Sequence, residues 1–222
     1  MRSFTTGSAE NTMIDLFGAD TSVYVRSARL ALEEKGVDYQ LRPVDVFAPG
    51  GVPESYLELN PFGRIPALRH GTLTLYETVA ILRYVDEGFD GPPLQPDDAP
   101  ARARMTQILS VLDSSGYRTL VWDIYVERVV KTRDGRTADE VAIASAVGCA
   151  RTFVAALEEL AADGPFLLGD RPTLADCHAA PMLALLGKAE EGALLLGNAP
   201  KLSAWLENFE QRPAFMATEP EA

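Results

Sequence analysis

Two cysteines and two histidines in 222 residues leave little material for a disulfide framework or a metal centre. Cys149 and Cys177 fall on helical patterns without metal-like neighbours and read as reduced core thiols. His70 falls in a hairpin turn, and His178 follows a helix start. Neither has a Ser–Asp or metal partner at readable spacing, which removes the hydrolase and metalloenzyme classes. Basic residues are scarce: 20 Lys and Arg against 32 Asp and Glu give a net charge of −12. A polyanionic nucleic acid would meet repulsion there. Long apolar runs are also missing. The longest candidate, 179–187, is about half of the ~18–20 residues a membrane span needs and is interrupted by Pro181. Residues 1–12 lack the apolar core of a secretory signal and read as a disordered polar tail, with Met13 as a possible second start. A cytoplasmic location is expected. Internal repeats, low-complexity segments and nucleotide-binding glycine patterns are absent.

What remains is an ordinary globular composition, 47% hydrophobic and 23% charged, with length for one large domain or two small ones. A short strand is expected at 14–18. A helix follows over 21–35, with Val25, Ala28 and Leu32 at helical spacing and Gly36 as its stop. A second strand at 39–44 sets Tyr39, Leu41 and Pro43 on one face. The Gly/Pro-rich loop 48–53 leads to a brief helix at 54–59. Two strands flank the turn His70-Gly71, and a helix runs over 77–87. The order is β-α-β-α-β-β-α.

Between 88 and 100, Gly91, Pro92, Pro93, Pro96 and Pro100 forbid a regular element. The expected division is therefore a domain over 13–87, a linker over 88–99, and an all-helical domain over 100–222. The helical part opens with one long helix from 99 to about 131, followed by another over 137–162. Thr173 three residues before Asp176 forms a capping box. A last helix near 200–211 carries Leu202, Trp205, Leu206 and Phe209.

Three segments carry chemistry. In Asn60-Pro61-Phe62-Gly63-Arg64-Ile65-Pro66, an apolar residue precedes a proline at a strand entrance. A cis bond there leaves the Ile65 backbone facing outward and unpaired. Glu77-Thr78 open a helix with an acid and a hydroxyl, a receptor for the end of a zwitterionic ligand. The loop 18–26 brings three hydroxyls, Thr21, Ser22 and Tyr24, to the first helix's N-terminus, where any of them can also serve as an ordinary cap.

This ordered set resembles the cytosolic glutathione transferases, over nearly the whole chain from Ile14 to Ala217. The resemblance implies a thioredoxin-like α/β domain followed by an all-α helical bundle domain. It implies glutathione as co-substrate with no metal, a small hydrophobic electrophile as second substrate, and a homodimer. Ser22 falls where the serine of the phi-class and related bacterial enzymes meets the glutathione thiol, with Tyr24 and Thr21 as near misses. Ile65 and Pro66 would pair with the peptide backbone, and Glu77 and Thr78 would receive the γ-glutamyl end. Arg64 would lie near the ligand. Tyr117, Leu120 and Ile124 would wall the electrophile pocket, although a Tyr/Leu stripe also reads as plain core. One departure stands out. Gly50-Gly51-Val52-Pro53 occupy the place where phi-class enzymes carry a His-Lys pair for the glycine carboxylate.

The implied activity is conjugation of the glutathione thiolate to small apolar electrophiles. Other glutathione-dependent chemistries on the same scaffold are isomerase, dehalogenase, etherase or peroxidase. A non-catalytic binding or regulatory member is the remaining alternative.

Overall fold

The computed structural model describes residues 13–220; the tail expected at 1–12 lies outside them. Strand β1 (Ile14–Phe17) buries Ile14 and Leu16 on alternate positions. Helix α1 (Val23–Lys35) starts at the Ser22 cap and stops at Gly36, which takes a left-handed φ of 68°. The Gly36 N–H returns to the Glu33 and Leu32 carbonyls, closing the helix end. Strand β2 (Tyr39–Arg42) keeps Tyr39 and Leu41 half-buried on one face. After a loop and a single turn, α2 (Glu54–Leu57), come β3 (Ala67–His70), β4 (Leu73–Tyr76) and α3 (Thr78–Gly88).

The sheet order is β2-β1-β3-β4, with β1 parallel to β2 and antiparallel to β3, and β3 antiparallel to β4. This is a thioredoxin-like sheet, and α1 and α3 pack against each other beside it. The segment 89–98 forms neither helix nor strand and buries Leu94. After it, the regular elements among the described residues are helices, apart from one isolated bridge between Phe166 and Gly169. Helices α4 (Ala99–Val111), α5 (Lys131–Arg133), α6 (Glu140–Leu160), α7 (Leu174–Gly187), α8 (Glu190–Gly197), α9 (Pro200–Glu210) and α10 (Pro213–Ala217) surround a core in which α7 is almost wholly buried.

Three expectations need correcting. The single long α-helix expected over 99–131 is α-helical only to Val111. Leu112–Gly116 and Arg118–Val130 then widen into π-helix. Within this stretch Leu112, Gly116, Leu120, Val121 and Ile124 face the core. Gly116 is required at this contact, since a Cβ there would lie 2.8 Å from the Phe153 ring of α6.

Cys149, expected in the core, is exposed on α6, while Cys177 is buried as expected. Helix α6 is also long and apolar enough, by length and composition, to cross a membrane, against the expectation that no run would be. Its inward stripe of Ile143, Ala146, Ala150, Phe153, Val154 and Leu157 packs into the protein core, and small residues on its outer face supply the remaining apolar character.

The capping box forms as the sequence indicates. Asp176 accepts from the Thr173 N–H and hydroxyl, both at 2.7 Å, and from the Leu167 N–H and Trp205 Nε1, both at 2.8 Å. Burial pushes this carboxyl's pKa up, and the four donors pull it back.

Candidate functional site

The strand register brings the three chemical segments to one edge of the sheet. Phe17 pairs with Ala67, and Ala67 pairs with Tyr76. Residues 18–22 after β1, Ile65-Pro66 before β3 and Glu77-Thr78 after β4 therefore emerge side by side. Gly18 is the wedge between them. A Cβ on it would lie 2.3 Å from Val25 Cγ2 and 3.3 Å from Ile65 Cβ, so only glycine lets α1 and the Ile65 loop approach this closely.

Ser22 is half-buried and caps α1, its hydroxyl oxygen accepting from the Val25 N–H at 3.4 Å. That long bond uses a lone pair and leaves the hydroxyl proton free to donate. Thr21 is exposed. Tyr24 turns toward the helical domain, its ring 4.3 Å from Tyr117 and 5.6 Å from His178 between centroids. The Asp113 carboxylate, bonded to the same His178, lies close enough for its charge to act on the Tyr24 hydroxyl. Burial, and then the Asp113 charge, raise the phenol's pKa well above its ordinary value, so Tyr24 keeps its proton.

The Ile65–Pro66 bond is cis, as the motif indicates. The turn before it is built by two residues whose part the sequence did not disclose. Asn60 accepts from the Phe62 N–H at 3.1 Å and donates to the Arg64 carbonyl at 2.7 Å. The Tyr56 hydroxyl donates to the same carbonyl at 2.6 Å. The Asn-Pro-Phe pattern is an Asx-turn signal that points to Asn60; nothing local points to Tyr56. The Arg64 side chain is exposed and makes no ion pair among the described residues.

Glu77 holds the one positive φ, 69°, outside glycine among the described residues, a conformation that costs of order 1–3 kcal/mol and concentrates at functional positions. It is exposed, and Thr78 behind it is buried at the first turn of α3. Of the three residues expected to wall a second pocket, Leu120 and Ile124 are fully buried in the helical core. Tyr117 keeps accessible surface beside Tyr24. Among the described residues no group of three His, Cys, Asp or Glu is placed to hold a metal ion.

Residues 16–93 match the family model described as glutathione S-transferase, N-terminal domain, and residues 140–208 match the corresponding C-terminal domain model. The chain belongs to the glutathione S-transferase family. A glutathione S-transferase of Hyoscyamus muticus is 30% identical over 203 residues, covering 90% of this chain and 94% of the relative. A stringent starvation protein A homolog of Pasteurella multocida is 29% identical, covering 96% and 92%. Among solved structures, apo glutathione S-transferase III superposes with a TM-score of 0.82 at 30% identity, covering 95% of this chain and 98% of that one.

Within this family member, the polar group at the domain junction that the sequence concealed is Asp113. It accepts from His178 Nε2 at 2.9 Å across 65 residues of chain. His178 is fully buried, and its Nδ1 has no partner. No spacing rule could have joined an exposed acid on one helix to a buried histidine on another.

Proposed function

We propose that the protein is a glutathione transferase that adds the glutathione thiolate to a small, largely apolar electrophile. The observation carrying this is the convergence of Ser22, Ile65-Pro66 and Glu77-Thr78 at one sheet edge, held by the strand register and by the close approach at Gly18. The outward backbone of Ile65 pairs with the cysteinyl segment of glutathione in strand fashion. The α3 N-terminus with the Thr78 hydroxyl receives the γ-glutamyl carboxylate, and Glu77 takes its ammonium. Arg64, exposed and without an ion pair, takes the glycine carboxylate in place of the missing His-Lys pair.

Ser22 is the catalytic group. A free thiol has a pKa of about 8.5, so little thiolate exists at neutral pH. The Ser22 hydroxyl donating to sulfur, with the positive end of α1 behind it, favours the thiolate. Tyr24 is set against this role by its packing on Tyr117 and His178, and Thr21 by its exposed position.

The division into a glutathione domain over 13–87, a linker over 88–99 and a helical domain over 100–222 belongs to the same proposal. So do a cytoplasmic location and a detoxifying role, and the two free thiols fit a reducing compartment. A homodimer is supported by apolar groups left on the β4 side of the sheet. Phe62 is 67% exposed and pairs its ring with Tyr76 at 5.9 Å.

The test is thermal stabilisation by glutathione and by S-hexylglutathione. Both ligands should raise the Tm, the hexyl conjugate more. Stabilisation by neither would remove the proposal. Binding of both without turnover of any electrophile would make the chain a non-catalytic binding member.

A further inference from the structure

Asp113 is poorly explained as packing. Its side chain is 40% exposed at the start of the π-helical stretch, yet it is fixed from behind. His178, with no exposed surface, donates from Nε2 at 2.9 Å. The His178 ring in turn stacks on Tyr24, whose other neighbour is the Tyr117 ring. The single bond from His178 leaves lone pairs of the carboxylate open on the exposed side.

Its ion-pair partner among the described residues is His178, which is a cation only when protonated. Among the described residues Asp113 forms no ion pair with Lys or Arg, and the next guanidinium along the helix, Arg118, is engaged by Asp123 at 2.8 Å. Tyr24 lies in the first turn of α1, which Ser22 caps, so the His178–Asp113 pair stands at the domain junction beside the helix end at which the thiol is proposed to react.

We propose that Asp113 sets the charge preference of the second substrate: the protein favours electrophiles whose apolar body carries a positive charge or a hydrogen-bond donor and rejects anionic ones. This rests on the transferase reading above. A half-exposed charge pair is worth up to roughly fivefold in affinity, so attraction of one ligand and repulsion of its counterpart should separate them by about tenfold.

The experiment uses three glutathione conjugates of closely similar size: S-benzylglutathione, its para-trimethylammonio derivative and its para-carboxy derivative. Dissociation constants are measured by calorimetry at neutral pH for the wild-type protein and for Asp113→Asn. The wild type should bind in the order cationic, neutral, anionic with about a tenfold spread, and Asp113→Asn should compress the spread to less than about threefold. A second measurement needs no variant: raising the salt concentration on the wild type should shrink the same spread, because a half-exposed charge is screened. Equal binding of the three conjugates, or an unchanged order in Asp113→Asn, would overturn the charge assignment and leave the transferase reading in place. Failure of all three to bind would overturn both.

Discussion

Asp86→Ala should be among the most damaging single changes outside the site. The Asp86 carboxylate joins three elements: it accepts from Lys35 Nζ of α1 at 3.2 Å, from the Leu94 N–H at 2.7 Å and from Gln95 Nε2 at 3.0 Å. Lys35 and Asp86 side chains are only 3% and 6% exposed. Removing one partner of a buried ion pair costs about 3–5 kcal/mol, because the other charge stays buried. Two further bonds are lost at ~1 kcal/mol each, but the Asp86 backbone carbonyl, still 3.1 Å from Lys35 Nζ, offsets about 2 kcal/mol as a hydrogen bond to a charged group. A total near 4 kcal/mol follows, a large share of the ~5–15 kcal/mol that holds a typical protein folded. For a chain of this size that is a fall in Tm of about 8–16 °C. Lys35→Met should cost less, since Asp86 retains two donors. The double variant should be more stable than the sum of the two losses predicts, by ~1 kcal/mol or more. Urea unfolding followed by circular dichroism measures all three. A loss below ~1 kcal/mol for Asp86→Ala, or strict additivity in the double variant, would refute the reasoning.

Ser22→Ala should leave glutathione affinity within about threefold and cut conjugation of a model electrophile by roughly ten- to a hundredfold, the worth of one hydrogen bond to a charged sulfur. The pH–rate profile should move to higher pH; an unshifted profile would take the thiol from Ser22. Thr78→Ala should do the reverse, raising the dissociation constant of glutathione more than it slows the bound complex. Gly18→Ala should weaken glutathione binding and lower the Tm together, because its Cβ meets both α1 and Ile65; unchanged binding would show that the close approach there is dispensable. Burial holds Tyr24 and Tyr56 protonated above the ordinary tyrosine pKa of about 10. Above that pH the unfolded chain binds fewer protons than the folded one, so stability should fall as pH rises, and tyrosinate absorbance should appear in step with unfolding. Tyrosinate absorbance that accounts for both residues while the fold persists would contradict their burial.

The sheet and its neighbouring helices were legible because each carries its own punctuation. Gly36 stops α1, the Gly71-Thr72 turn separates β3 from β4 with His70 as the last residue of β3, and the proline cluster after Gly88 admits no element. The site segments were legible for a related reason: caps and turns are local, and Ser22, Pro66 and Glu77 each announce themselves within a few residues. What escaped depends on partners distant in sequence. The π-helical stretch carries an apolar pattern that reads as ordinary helix, and the close contact of Gly116 with Phe153 of α6 shows only once the two helices are packed. Cys149 was misplaced for the same reason, since a cysteine among alanines and glycines carries no sign of which side of α6 meets the core. The Asp113–His178 and Tyr56–Arg64 bonds are products of packing and leave no periodic trace.

Helix α10 returns to the start of the chain. Arg26, 5% exposed, donates to the Phe215 carbonyl at 3.0 Å and to Thr218 Oγ1 at 3.4 Å, with its guanidinium 3.9 Å from the Phe215 ring centre. Arg29 donates to the Ala217 and Thr218 carbonyls. The helix that carries Ser22 thus has a buried cation whose acceptors are made 192 residues later. At ~5–20 residues per second of synthesis, α1 waits about 10–40 s on the ribosome with that guanidinium unmatched. The first domain to emerge is therefore the last to be completed, and a nascent chain stopped before residue 213 should leave α1 exposed to chaperones and proteases.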